Sequence, residues 1–317
     1  MHELIREQFG PAFGIAGFGD SAILEMNPHK LAFTTDSYVV SPLFFPGGNI
    51  GELAVYGTVN DLAVSGARPL FLTTGFIIEE GFPLEHLRAI VASMSRAAEK
   101  ASVKIVAGDT KVVNKGKGDG IFINTSGVGI LPDGIELSAS KIRSGDAILV
   151  SGQIGNHGVA VMSERNGITF DPPVVSDTAP LNSLIKSMCE VTKGVRFMRD
   201  PTRGGLATTL KEAAMESGKC LRIREKTIPV ALQVKGACDL LGLDPLYVAN
   251  EGIVVAVVDP SMAKAVLGAM RQHPEGANAR SIGSVEESPG GMVLLETIAG
   301  GTRVIEMLQG EQLPRIC

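Results

Sequence analysis

The chain has 317 residues, long enough for two domains that each close a hydrophobic core. Its 29 Lys and Arg against 34 Asp and Glu give a net charge of −5 without any basic stripe interleaved with aromatics, which argues against a nucleic-acid partner, and no run of about eighteen apolar residues exists to span a membrane. The opening MHELIREQF is charged and lacks the features of a secretory leader, so the chain is expected in the cytoplasm, where Cys189, Cys220, Cys238 and Cys317, none in a CxxC pair, stay reduced.

In chain order, Ala22–Met26 and Leu31–Tyr38 read as strands around Asn27-Pro28, and Asn49 caps a helix that runs to Ser65 and closes at Gly66. Pro69–Ile78 reads as a strand, followed by an amphipathic helix over Pro83–Ala101 with Leu84, Leu87, Val91, Met94 and Ala98 on its apolar face. Val103–Val113 and Gly120–Leu131 are apolar strands joined by the turn KGKGDG, which predicts an antiparallel hairpin. The first unit, 1–140, ends there. A second α/β unit, 141–308, opens with strand Ala147–Ser151 and helices near Gly158–Arg165 and Leu181–Thr192. It continues through strand Val195–Arg199, a helix after Pro201, strand Leu221–Arg224, helix Ala231–Leu241, strand Gly252–Val258, helix Pro260–Gln272 and a hairpin turning at Ala299-Gly300-Gly301. The remainder, 309–317, has no periodicity and reads as a mobile tail ending in a thiol.

Neither GxxxxGK[ST] nor GxGxxG occurs, so the two common Gly-rich phosphate cradles are absent. Instead, acidic residues stand beside glycines or at element ends: Asp20, Asp36, Asp61 after Asn60, Asp109 and Asp200. Each can be an ordinary turn or cap; converging on one place, they would suit Mg²⁺ and a nucleotide, because Mg²⁺ takes a few carboxylates together with phosphate oxygens. Lys111 lies two residues past Asp109 and so faces the same side of its strand. Glu251 precedes an intensely apolar strand, where partial burial would raise its pKa and favour a general base; a solvated strand end is the plainer alternative. Cys189, Cys220 and Cys238 fit small core positions, whereas Cys317 has no packing role at the chain's end. A reactive Cys317 needs a cation nearby, from Arg315 or a partner residue.

The segments FFPGGNIGELAVYGTVNDLAVSGARP, GDTKVV, DPTRGGL, VANEG and the terminal PRIC resemble the hydrogenase maturation HypE family of carbamoyl dehydratases, over essentially Asp20 to Cys317. The first of these and the GD segment also resemble the wider aminoimidazole-ribonucleotide synthetase and selenophosphate synthetase superfamily. The family's His-Gly-x-Gly-Gly segment is not in this chain, which starts at the helix that would follow it.

The resemblance implies an α/β fold of two aminoimidazole-ribonucleotide synthetase-like domains with mixed sheets, the first dimerising through its sheet, and ATP bound with Mg²⁺ between protomers. It assigns Asp36, Asn60, Asp61, Asp109 and Asp200 to the nucleotide, Asp20, Asp36, Asp61, Asp109 and Asp200 to the metal, and Lys111, Glu251 and Cys317 to catalysis. It implies ATP-dependent dehydration of an S-carboxamide on Cys317 to a thiocyanate, with the carbamoyltransferase HypF as donor and a HypC–HypD complex as acceptor of the cyanide ligand for nickel–iron hydrogenases. A synthetase acting on a free small molecule would leave Cys317 idle, and a non-catalytic thiol carrier would leave the acidic residues, Lys111 and Glu251 idle.

Overall fold

The computed structural model describes residues 20–308, 310 and 315–317. The helix expected at the amino terminus, and 309 and 311–314 of the tail, lie outside the described residues. Two mixed sheets form the frame. The first takes strands β1 (Ala22–Met26), β2 (His29–Tyr38), β5 (Arg68–Glu79), β6 (Lys104–Val113) and β7 (Ile121–Leu131) in the order β1-β2-β7-β5-β6. Between β2 and β5 come a two-residue-arm hairpin, β3 (Phe44–Phe45) with β4 (Gly48–Asn49), and helix α1 (Ile50–Val64), whose amino end Asn49 caps by accepting from the Gly51 N–H.

The hairpin expected from KGKGDG is not formed. β5, helix α2 (Leu84–Lys100) and β6 make a parallel crossover unit, and β7 passes over β5 to pair antiparallel with β5 on one side and β2 on the other. The alternation of β7 explains this. Ile121, Ile123, Thr125 and Gly127 point at α1 and require a central position, whereas β6 is exposed along most of its length and tolerates the edge. On α2 the buried stripe is also rotated from the expected one: Ile90, Met94, Ala97 and Ala98 are covered, while Leu84 and Val91 face outward.

The second sheet has seven strands in the order β14-β13-β10-β12-β8-β11-β9: β8 (Ala147–Val150), β9 (Val195–Arg199), β10 (Cys220–Arg224), β11 (Val255–Val258), β12 (Arg280–Glu286), β13 (Val293–Glu296) and β14 (Thr302–Ile305). β12, in its middle, went unread in the sequence. Helices α3 (Asn156–Asn166), α4 (Asn182–Val191), α5 (Gly205–Ser217), α6 (Leu232–Leu241) and α7 (Ala263–Met270) complete the fold. Val255 and Val257 of β11 pack with Leu206 and Leu210 of α5, and Ala256 and Val258 pack with Leu184 and Met188 of α4 and Met270 of α7. Successive residues of a strand thus feed opposite layers, which is why β11 is apolar throughout.

α1 is buried nearly all round, against the first sheet and α2 on one side and against α4 and β9 of the second unit on the other. Its polar interior residue Asn60 is fully buried and committed to backbone: its Nδ2 donates to the carbonyls of Ala179 (3.1 Å) and Glu251 (3.2 Å), and its Oδ1 accepts from the Leu181 N–H (2.8 Å). One amide therefore rivets the two units. Replacing it with Ala strands three buried backbone groups, so Asn60→Ala is expected to lower stability by about 2–4 kcal/mol in a urea titration, and a loss below about 0.5 kcal/mol would show the rivet to be dispensable.

Candidate active site

The seam pinned by Asn60 collects residues far apart in the chain. Asp20 stands just ahead of β1, Asp61 follows Asn60 on α1 and Asp200 follows β9, and each offers a carboxylate oxygen so that all three lie within 4.8 Å of one another. Asp61 accepts from Thr34 Oγ1 at 3.0 Å. Asp20 pairs with Arg199 at 3.2 Å, which pairs in turn with Glu212 at 2.7 Å. Asp36, on β2, accepts from Thr58 Oγ1 at 3.4 Å and adds its charge to the same field.

Burial and mutual repulsion shape these groups. Burial raises Asp200 to about 8, with Asp20 adding to the effect. Burial, then Asp200, Asp36 and Asp20, lift Asp61 well above the usual carboxylate range, and burial raises Asp20 even against the opposing pull of Arg199. Buried carboxylates crowded beyond what one guanidinium balances fit a divalent cation with oxygen preference such as Mg²⁺. Asp109 and Lys111 are not in this group. They stand exposed on β6, opposite Gly75 and Ile77 of β5, and line with Ser37 and Asn124 a groove of about 540 Å³ on the first sheet.

A second group adjoins the carboxylates. Glu251 is 3% exposed, and its backbone N–H and that of Gly252 both donate to Asp177 Oδ2 at 2.9 Å. Among the described residues its buried Oε1 has no hydrogen-bond partner. Burial, then Asp200 and Asp177, raise Glu251 well above the carboxylate range. Close by lies Cys317, because the end of the chain runs alongside residues 39–41. The Val39 N–H donates to a Cys317 terminal oxygen (3.1 Å), the Ser41 N–H donates to the Arg315 carbonyl (3.1 Å), and Ile316 is buried with its carbonyl 2.8 Å from His157 Nε2.

The cation beside the thiol is Arg203 and not Arg315. Arg203 Nη1 approaches Sγ at 3.9 Å, whereas Arg315 turns to the Val39 carbonyl and to Asp119. Burial nonetheless dominates and, with Glu251 and Asp36 adding to it against Arg203, pushes the Cys317 thiol up to about 12. Sequence reasoning missed Arg203, although it stands in DPTRGGL between Asp200 and the Gly204-Gly205 pair. Both glycines adopt left-handed backbone (φ +75 and +58), the sharp turn that starts α5 just beyond Arg203. His157 and Asp177 gave no signal in the sequence.

Two family models match: AIR synthase related protein, N-terminal domain, over residues 18–131, and AIR synthase related protein, C-terminal domain, over residues 143–296. The carbamoyl dehydratase HypE of Bradyrhizobium diazoefficiens is 52% identical over 321 residues, spanning 100% of this chain and 93% of its own length. Among solved structures, a HypE–HypF complex contains a chain 49% identical with a TM-score of 0.90, covering 96% of this chain and 99% of that one. A HypE in complex with ATP is 45% identical with a TM-score of 0.89, covering 100% of this chain and 96% of that one.

The seat of Cys317 makes a kinetic prediction. A free thiol titrates near ~8.5, and a higher pKa reduces the thiolate fraction faster than it increases its nucleophilicity, so alkylation of Cys317 by iodoacetamide near pH 8 is expected to run at least about tenfold slower than that of a small free thiol. The rate should still be climbing above pH ~9.5; a plateau there would place the thiol in solvent.

Proposed function

The chain belongs to the HypE family of carbamoyl dehydratases and is thereby an ATP-dependent dehydratase of hydrogenase maturation, and on that premise we propose that Cys317 carries the carboxamide and Glu251 takes its nitrogen protons. The observation that carries this reading is the seating of the Cys317 thiol beside Glu251 and Arg203, next to the Asp20, Asp61 and Asp200 cluster. A synthetase of free small molecules has no need of that seat.

The chemistry starts from R–S–C(=O)–NH₂. Hydroxide is a poor leaving group, so the amide oxygen attacks the γ-phosphorus of ATP; ADP departs, one N–H proton is lost, and R–S–C(=NH)–OPO₃²⁻ results. Loss of the second N–H proton with cleavage of the C–O bond gives R–S–C≡N and inorganic phosphate, which retains the amide oxygen. Glu251, once ionised, is the acceptor suited to those protons: among the described residues its Oε1 has no partner, and a carboxylate of raised pKa is the stronger base. Arg203 balances charge developing at the sulfur end of the group.

Asp20, Asp61 and Asp200, with Asp36 beside them, are placed to hold Mg²⁺, which when bound supplies positive charge against the phosphates. Asp109 and Lys111 lie outside that cluster, and we assign them to a nucleotide shared across a homodimer. The first sheet's face away from α1 exposes Phe33, Phe71 and Ile77, an apolar surface suited to a second copy. Asn60 serves the nucleotide by fixing Glu251 and the neighbouring Asp61 rather than by contact. HypF, found in complex with a relative, would load Cys317, and a HypC–HypD complex would accept the cyano group. All of this belongs in the cytoplasm; among the described residues no helix is long and apolar enough to cross a membrane.

Intact-mass spectrometry after incubation with HypF, carbamoyl phosphate and MgATP tests the assignment. Cys317 should gain about 43 Da as the carboxamide and fall to about 25 Da as the thiocyanate, and Glu251→Gln should bind ATP but stop at the first adduct, with dehydration slowed at least about 10²-fold. Cyanation by Glu251→Gln at near the parent rate would rule Glu251 out as the base.

The raised carboxyls set the sign of a pH effect on Mg²⁺. Asp200, at about 8, is largely protonated at neutral pH, and proton and cation compete for its oxygens. Mg²⁺ affinity is therefore expected to rise from about pH 6 to about pH 8 and then level, with proton release visible by calorimetry in buffers of different ionisation enthalpy. Affinity independent of pH over that range would place the ion elsewhere.

A further inference from the structure

His157 lies on α3, fully buried, outside the carboxylate cluster and outside every motif that marks the family's chemistry in this chain. Its Nε2 is 2.8 Å from the Ile316 carbonyl and its Nδ1 is 2.8 Å from Ser176 Oγ. A carbonyl can only accept, so Nε2 carries the proton. Nδ1 is then the acceptor for the Ser176 hydroxyl. Ser176 Oγ in turn takes the Thr178 N–H at 3.1 Å and lies 2.7 Å from Thr178 Oγ1. The chain of donors has a single direction, from Thr178 through Ser176 and His157 to the tail. Burial lowers the imidazole pKa and so keeps it in the neutral form this requires. The ring of Phe45 meets the imidazole at 5.3 Å and 89°, which limits its rotation.

The residue between Ser176 and Thr178 is Asp177, whose Oδ2 receives the N–H groups of Glu251 and Gly252. The backbones there are nearly in contact: a Cβ on Gly252 would stand 1.8 Å from the Asp177 carbonyl oxygen. The segment is also held to the first unit, since the Ser176 N–H donates to the Pro46 carbonyl at 2.8 Å. Three consecutive residues thus grip the tail through His157 and the base through Asp177.

We propose that His157 is a positioning residue for the dehydration, latching the tail by the Ile316 carbonyl, and that segment 176–178 is the rigid bar that fixes Cys317 relative to Glu251. The proposal rests on Cys317 as the group carrier and Glu251 as its base. The latch acts on the docked tail alone. Loading of Cys317 by a separate carbamoyltransferase does not use it, whereas dehydration within this chain does.

The test uses the full-length chain, with His157→Ala, His157→Gln and Ser176→Ala, each checked for a parent-like thermal melt. The first readout is iodoacetamide alkylation of Cys317 without nucleotide, followed by intact mass. Losing one buried hydrogen bond should speed it about tenfold in His157→Ala and about threefold in Ser176→Ala, while His157→Gln, whose amide N–H can reach the same carbonyl, should restore most of the protection. The second readout separates the two stages: carbamoylation by HypF is expected at the parent rate, and dehydration of the carbamoylated chain is expected to fall about tenfold in His157→Ala. Parent-like protection in both His157→Ala and Ser176→Ala would overturn the latch, as would carbamoylation and dehydration falling together. Should His157→Ala not fold, Ser176→Ala and His157→Gln decide the matter alone. If the alkylation rates shift as described but the parent chain itself never converts the carboxamide, the latch stands and the dehydratase assignment of Cys317 and Glu251 falls.

Discussion

The site depends on the way a short stretch of the second unit, 175–181, is laid against α1 of the first. Asn60 holds that stretch through the Ala179 carbonyl and the Leu181 N–H, and the same amide holds the Glu251 carbonyl. In a buried seam each of these groups would cost about 1–3 kcal/mol if left unpaired, so the arrangement has little freedom to drift. Asp61 follows Asn60 in the helix, and Asp177 lies inside the held stretch. One buried amide of α1 therefore registers the acidic cluster, Glu251 and the tail seat with respect to one another.

The electrostatics follow from that rigidity. Carboxylates free to move would relax apart, but Asp20, Asp61 and Asp200 are fixed on three different elements and cannot. Burial and their mutual repulsion raise all three, Asp200 to about 8. Arg199, buried and divided between Asp20 and Glu212, offsets part of the field. The same burial keeps the Cys317 sulfur protonated, which protects a thiol that would otherwise be open to oxidation.

Much of the architecture was legible from hydrophobic period and capping: α1 with its Asn49 cap, the strands of the first sheet and most helices of the second unit appear where the pattern puts them. Pairing was less legible. A turn of Gly and Lys suggests a hairpin, but it cannot reveal that β7 is needed between β2 and β5. β12 was missed because RSIGSVE, with Ser and Gly among its residues, offers no apolar run. At the site, residue type and neighbours marked Asp61, Asp200, Glu251 and Cys317. The partners that tune them, Arg203, Asp177 and His157, act through distances created only on folding, and Asn60 was readable as a polar residue but not as a rivet. The separation of Asp109 and Lys111 from the cluster is equally invisible in one dimension.

The tail is seated chiefly by its main chain. A terminal oxygen of Cys317, the Ile316 carbonyl and the Arg315 carbonyl make the bonds to Val39, His157 and Ser41, while the Ile316 side chain serves as a plug. None of these contacts involves sulfur. These main-chain bonds would be unchanged by a group attached to the sulfur, which would meet the berth only at the buried tip beside Arg203. The hold on the arm and the surroundings of its sulfur are thus set by different atoms, so either can change without the other.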